Sequence, residues 1–428
     1  MLPSSYRPTR HTTMASNATR LAFWVTLGMR GTDVAQFEYA DHVEVTLGLP
    51  RPLILHPAPA TTQAGAAEVR QRFVMRFGAQ QVRSVEGGSA LTSILAEAGI
   101  THVHTLAGDC NSMPPELRAR PKAVVLLVGA VFKATNCKSF TSEHRLIFSR
   151  ISMSVPSTPG AAAVPVVPHM VSPLPCSSRP HSDCDESVNP GPTLRERLGI
   201  PHDATVFCRH GGPTSFNRLA AQKAVKHVVV HRPDAWFLFL ATNRFLPYTN
   251  ATRHIVHLNF SSSLAEKADF IRACDAMLHG RNAGESFGLA IAEFSQMRRA
   301  VFTAPAKTRS GDNFHLQALG RRAFVYQSTP ELIQKLLTFN RSRATTQPWA
   351  QRAHWDAYTH FAPRHVMHTF ACVFLHNGTC RLATYPKVGD FASARATQDG
   401  EFDPCAACST YDYFVPWAAA LTSEKNAA

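Results

Sequence analysis

Short apolar runs alternate with amphipathic stretches along most of this chain, in two successive series. The first opens with Leu21–Leu27, a run of β-forming residues bounded by charge and glycine, which predicts a buried strand. A turn with two glycines, Gly28 and Gly31, leads into a helical pattern that lasts to about Thr46. Pro52–His56 then reads as a strand, Gln63–Gln71 as a helix and Phe73–Phe77 as a strand. Ser89–Ala98 is a helical stretch closed by Gly99, and Thr101–Leu106 and Lys122–Val128 are further strands. Alternation of this kind predicts an α/β domain with a parallel sheet covered by helices on both faces.

Between Pro156 and Pro192 the pattern breaks, with nine prolines among Ser, Asp and Gly, as expected of a crossing between domains. A second alternating series follows. Its strands are Thr205–Cys208, Trp236–Leu240, Ile255–Leu258, Ala276–His279, Ala300–Thr303 and Ala323–Tyr326. Its helices are a stub at Thr193–Leu198, then Phe216–His231, Leu264–Cys274, one from about Ser286, and Pro330–Phe339. Pro348 to about Phe370 reads as a long helical stretch. The divisions that follow are a tail (1–20), a first domain (21–175), a Pro-rich linker (176–192), a second domain (193–345), a crossing-back helix (346–375) and a C-terminal tail (376–428).

The chemistry concentrates in the strand–loop–helix–strand unit from Asp275 to Thr303, whose loop lies at the carboxyl end of a strand, where open parallel sheets bind ligands. Glu285 stands in that loop. Glu293 stands eight positions later, within a helix whose other residues are largely apolar. A carboxylate there is costly to desolvate unless it meets a partner. Ser286, Leu289 or Ala290, and Glu293 share one ridge, so Glu293 projects toward the loop. The unpaired N–H groups of the helix's first turn favour an anion nearby. Two carboxylates and a set of backbone donors suit a polyhydroxylated, phosphorylated ligand.

Glu285-Ser286-Phe287-Gly288-Leu289, ending in Glu293, resembles the E-x7-E motif of retaining glycosyltransferases of the GT-B fold, within the large group 1 set. The resemblance spans roughly residues 20–370 and is strongest over 205–340. It implies two Rossmann-like domains facing across a cleft and transfer of a sugar from a UDP- or GDP-sugar with retention. Glu285 would lie by the donor sugar and Glu293 would take the ribose hydroxyls, with Ser286, Phe287, Gly288 and Leu289 contributing to the donor site. Gly31 would let the chain pass close to donor and acceptor. Arg209 matches the arginine that holds the donor diphosphate. Cys208 stands where the family has glycine, and the family's accompanying lysine is missing from Gly211–Phe216, so Arg281 and backbone amides become the candidates for that role. His104 occupies a strand end where such enzymes often place a histidine near the reacting sugar; its neighbour His102 shares that strand face.

Lys and Arg (44) outnumber Asp and Glu (30), for a formal charge of +14, which attracts anionic ligands and leaves contact with a membrane surface open. No basic run interleaved with aromatics argues for nucleic acid. No Asp-x-Asp triplet occurs, and neither a metal nor another cofactor is expected. The longest apolar stretch, Ala123–Phe132, is too short to span a bilayer. The first residues suit a tail or an organellar targeting segment. Ten scattered cysteines suit a reducing compartment, hence the cytoplasm. Cys372, Cys380, Cys405 and Cys408 hint weakly at zinc. Two rival functions remain: a non-catalytic GT-B scaffold, which the altered Cys208 and absent lysine favour, and another GT-B reaction, a phosphorylase or sugar-nucleotide epimerase.

Overall fold

The computed structural model describes residues 19–28, 31–58, 65–108, 113–131, 145–152, 164–174, 192–308, 311–344 and 354–376. The first apolar series gives β1 (Leu21–Trp24), α1 (Gly31–Val45), β2 (Leu53–Pro57), α2 (Ala66–Phe77), β3 (Val82–Val85), α3 (Gly88–Glu97), β4 (His102–Ala107), β5 (Val125–Ala130) and β6 (Leu146–Arg150). These strands form one parallel sheet in the order β3-β2-β1-β4-β5-β6. A parallel sheet covered on both faces needs strands that are apolar throughout, and β1 and β5 are buried along their whole length. The order reverses between β1 and β4, so a crevice forms at their carboxyl ends.

The second series repeats the plan. It contains α4 (Leu194–Arg197), β7 (Thr205–His210), α5 (Leu219–His231), β8 (Ala235–Leu240), β9 (Ile255–Leu258), α6 (Leu264–Ala273) and β10 (Ala276–Leu278). It continues with β11 (Gly284–Glu285), α7 (Leu289–Gln296), β12 (Ala300–Thr303), β13 (Asp312–Asn313), α8 (Phe314–Leu319), β14 (Ala323–Val325), α9 (Thr329–Thr338), α10 (Arg341–Ala344) and α11 (Pro363–Phe370). Six strands make a second parallel sheet, β14-β12-β10-β7-β8-β9, and β11 pairs with β13 apart from it. Here the reversal lies between β7 and β10, which sets Arg209 and His210 at one lip of the crevice and His279 and Gly280 at the other.

Four sequence expectations need correction. Phe73–Phe77 is not a strand but the last turns of α2. Val69, Phe73 and Phe77 recur every four residues and bury one helix face, and that periodicity outweighs the local β-propensity of phenylalanine. The helix expected from Ser286 starts at Leu289, because Gly288 at φ 82° caps it and Gly284-Glu285 is drawn into a small ladder with Asp312-Asn313. The long helix over 348–370 is, within the described residues, a short one beginning at Pro363, where a ring that fixes φ and lacks an N–H fits the first helical turn. Phe370 on α11 meets Tyr39 and His104 of the first domain.

The fourth correction concerns the cysteines. Cys208 and Cys274 form a disulfide, joining β7 to the residue after α6, which does not suit a reducing compartment. Cys372 is disulfide-bonded as well. Of the zinc candidates, Cys380, Cys405 and Cys408 lie outside the described residues, as do nearly all of both tails. No helix among the described residues is long and apolar enough to cross a membrane.

Candidate functional site

Backbone turns build the floor of the cleft. After β1 the chain reaches Gly28, and Asp33 in the first turn of α1 accepts hydrogen bonds from Thr26 N (2.9 Å) and Thr26 Oγ1. Burial pushes the Asp33 carboxyl up, against these bonds. Gly31 starts α1; a Cβ there would sit 3.5 Å from Leu289 Cδ1 of the other domain, so the two walls approach each other at this point. Opposite, Gly211 at φ 146° and Gly212 carry the chain out of β7, and the Gly212 carbonyl accepts from Ser215.

A cavity of about 130 Å3 lies between these turns. The first domain lines it with Gly28, Gly31, Asp33, Arg72 and Phe73; the second contributes His210, Gly211, Gly212, Lys267, Leu289 and Glu293. Of the residues expected from sequence, Gly31, Leu289 and Glu293 therefore meet in one place.

Glu293 sits on the second turn of α7 and is 7% exposed. Lys267 Nζ of α6 donates to its Oε1 at 2.7 Å. His210 Nε2 approaches Oε2 to 2.9 Å, an ion-pair contact when the imidazole is protonated. Burial alone would raise the carboxyl, but Lys267 and His210 outweigh it and hold Glu293 at about 2. Burial in turn is the largest influence on His210 and lowers its pKa, against the pull of Glu293. A carboxylate has about four lone-pair directions, so Glu293 keeps acceptor capacity toward the cavity.

Glu285 forms a second cluster. Its short strand holds the carboxylate beside Arg281 Nη1 (2.7 Å to Oε2) and His279 Nε2 (3.3 Å to Oε1). His279 is fixed in turn by Thr303 Oγ1 through Nδ1 at 2.8 Å. Burial raises the Glu285 carboxyl, but the hydrogen bond from His279 and the charge of Arg281 bring it below its ordinary value. Two glycines permit this turn. A Cβ on Gly284 would come within 2.1 Å of the Asp312 carbonyl, and Gly288 adopts the left-handed conformation with a Cβ position 3.3 Å from Glu285 Cβ.

Both sheets are six-stranded and parallel, and their carboxyl-end crevices face one cavity. No protein-family model and no curated protein matches the sequence. Solved structures do match in shape. A glycosyltransferase from Rickettsia africae superposes with a TM-score of 0.52 at 13% identity, over 82% of this chain and 96% of that one. HepE of Anabaena, in complex with UDP-glucose, gives 0.52 at 14% identity, over 82% and 98%. A proposed UDP-N-acetylglucosamine 2-epimerase of Listeria monocytogenes gives 0.50 at 11%, over 86% and 99%.

The fold is GT-B.

The remaining expected residues fall elsewhere. His104 is 1% exposed and surrounded by Phe23, Tyr39, Phe370 and Phe374. Its Nδ1 bonds Gln36 Oε1 at 2.8 Å, burial pushes it down to about 3, and it does not line the cavity. Phe287 is a core side chain packed on Phe314, Tyr358 and Phe361, with its carbonyl accepting from Tyr358 OH at 3.0 Å. Ser286 is half-buried between Glu285 and that core. Arg209 is 3% exposed and spends its donors on Ser215, Thr242 and the Gly212 carbonyl, while burial lowers it to about 10.

Sequence reasoning missed His210, Lys267 and Arg72. His210 was legible as the last residue of a strand that runs two positions further than expected. Lys267 follows Ser263, whose Oγ caps α6, so helix phase was available to aim it; its partner Glu293 lies 26 positions away. Arg72 was hidden by the division of α2 into a helix and a strand.

Proposed function

We propose that this chain is a glycosyltransferase that moves a sugar from a nucleotide-diphosphate sugar, a UDP- or GDP-sugar, to an acceptor hydroxyl with retention at the anomeric carbon. The observation that carries this reading is the Glu293 cluster. A carboxylate held ionised by Lys267 opens into an interdomain cavity walled by the glycine turns at residues 28–31 and 211–212. Such a group accepts a ribose diol, and glycine backbone close by admits phosphates. The E-x7-E phrase and the UDP-glucose complex of the structurally similar HepE support the same donor class.

In the reaction the bond from the anomeric carbon to the phosphate oxygen breaks, and the acceptor oxygen bonds to that carbon on the same face. The acceptor proton leaves with the departing diphosphate. Glu285 would stand beside the sugar, where its charge favours a developing oxocarbenium ion. The N–H groups of Ser286 to Leu289, at the start of α7, would stabilise charge growing on the leaving group. No role falls to a metal in this scheme, because cations and backbone donors carry that charge. His104 takes no step.

Glu285→Gln keeps the size of the side chain but removes its charge. Interactions strengthened only in the transition state lower turnover without weakening ground-state binding. The expected result is donor affinity near that of wild type, measured by calorimetry, with nucleotide release at least about ten-fold slower, a barrier higher by about 1.4 kcal/mol. Wild-type release should survive a chelator. Equal, low release from both proteins while both bind would replace the enzyme with a nucleotide-sugar-binding scaffold.

A further inference from the structure

The cations assigned to the donor diphosphate by resemblance are already committed. Arg209 is tied to Ser215, Thr242 and Gly212, and Arg281 to Glu285 at 2.7 Å; neither lines the cavity. His210 does line it, but burial favours its neutral form. Two cations do line the cavity, one from each domain: Lys267 of α6, which is itself bonded to Glu293, and Arg72 of α2.

Arg72 is incompletely satisfied. Its guanidinium lies over the Phe37 ring at 3.8 Å from the centroid. The acid beside it, Glu38, is 3.6 Å from Nη2, beyond hydrogen-bond length, and Nη2 is buried without a hydrogen-bond partner. Glu38 is itself engaged by Ser172. A buried guanidinium with an idle donor is costly, and an anion with oxygens in its plane would satisfy it at two points. Arg72 lies within electrostatic reach of Glu293, and Lys267 within reach of Glu38, so the four charges form one group across the cleft.

We propose that the donor diphosphate is held between Arg72 of the first domain and Lys267 of the second, in place of the arginine–lysine pair of one domain. This rests on the nucleotide-sugar reading above. A phosphate that draws Lys267 toward itself relaxes its bond to Glu293, and frees that carboxylate for the ribose. Because the two cations come from opposite walls, binding the diphosphate also draws the domains together.

The test is calorimetry on the full chain with UDP, GDP, uridine and guanosine. The variants are Arg72→Met, Lys267→Met and the conservative Arg72→Lys. Methionine at 72 keeps an apolar stem over Phe37, and the melting temperature of the unliganded variant checks its fold. Each methionine variant should reduce the ratio of diphosphate to nucleoside affinity at least about ten-fold, and Arg72→Lys should recover part of it, having one compact charge in place of a fork. A ratio unchanged in both methionine variants overturns the proposal. If Arg72→Met fails to fold, Arg72→Lys and Lys267→Met decide the matter by the same ratio. A wild-type protein that binds none of the four ligands removes the nucleotide reading itself, a different result from an unchanged ratio.

Discussion

Glu293 shows how a single residue can be legible in chemistry and illegible in context. A carboxylate amid apolar neighbours on a helix demands a partner, and the demand is visible in sequence. Which partner answers it depends on where α6 docks against α7, and Lys267 reads in isolation as an ordinary solvated helix residue. The pairing has a measurable signature. Folded, the carboxyl is held at about 2; its ordinary value is 4.5. A depressed folded value stabilises the native state above the ordinary pKa, and that stability is lost as pH falls. The stability difference between wild type and Glu293→Gln, followed by denaturant midpoints, should therefore narrow as pH drops from about 4.5 toward about 2. At neutral pH the same substitution should weaken UDP or GDP binding about ten- to a hundred-fold, the worth of a charged hydrogen bond of roughly 1.5–3 kcal/mol. Unchanged affinity would remove Glu293 from the nucleotide site. His104 teaches the converse. Sequence looks for a reacting group there, yet His104 lies at the third position of β4, where Phe370 of α11 and Phe374 just beyond that helix close over it, and that docking is a tertiary event.

At the scale of elements, strands buried on both faces were the easiest to read, because β1, β5 and β12 are near-continuous apolar runs. Errors arose where two periods competed. In α2 the pair Phe73 and Phe77 looks like part of a strand until Val69 is counted with it. β6, at the sheet edge, is only half-buried and was not foreseen. The link between β7 and α6 was also unforeseen, since cysteine spacing does not reveal pairing. The Cys208–Cys274 disulfide closes a loop of 66 positions, and a chain-entropy estimate gives it about 4 kcal/mol. It joins the strand that carries Arg209 and His210 to the helix that carries Lys267. Replacing both cysteines with alanine should lower the denaturant midpoint by an amount equal to about 2–4 kcal/mol. Midpoints that do not move would show that the sheet contacts of β7 hold this region without the bond.

The whole molecule adds a property that no single site contains. Its formal charge is +14. The cleft brings cations from both domains to one cavity, Arg72 from one side and Lys267 from the other. A nucleoside diphosphate carries several negative charges and a nucleoside carries none, so the summed field should speed only the first toward the cleft. Salt screens that field, with a Debye length of about 10 Å at 0.1 M and about 3 Å at 1 M. Contacts inside the cavity are shielded from solvent and respond much less to added salt. The two contributions therefore separate in the kinetics. Raising the salt from about 0.02 M to about 0.5 M should slow UDP association several-fold, leave its dissociation rate nearly constant, and hardly alter the binding of uridine. Stopped-flow measurements with both ligands decide it. A UDP association rate that ignores salt would mean that the basic excess lies away from the cleft and serves another purpose. A uridine rate as sensitive as that of UDP would mean that salt acts on the opening of the domains instead of on the ligand's charge.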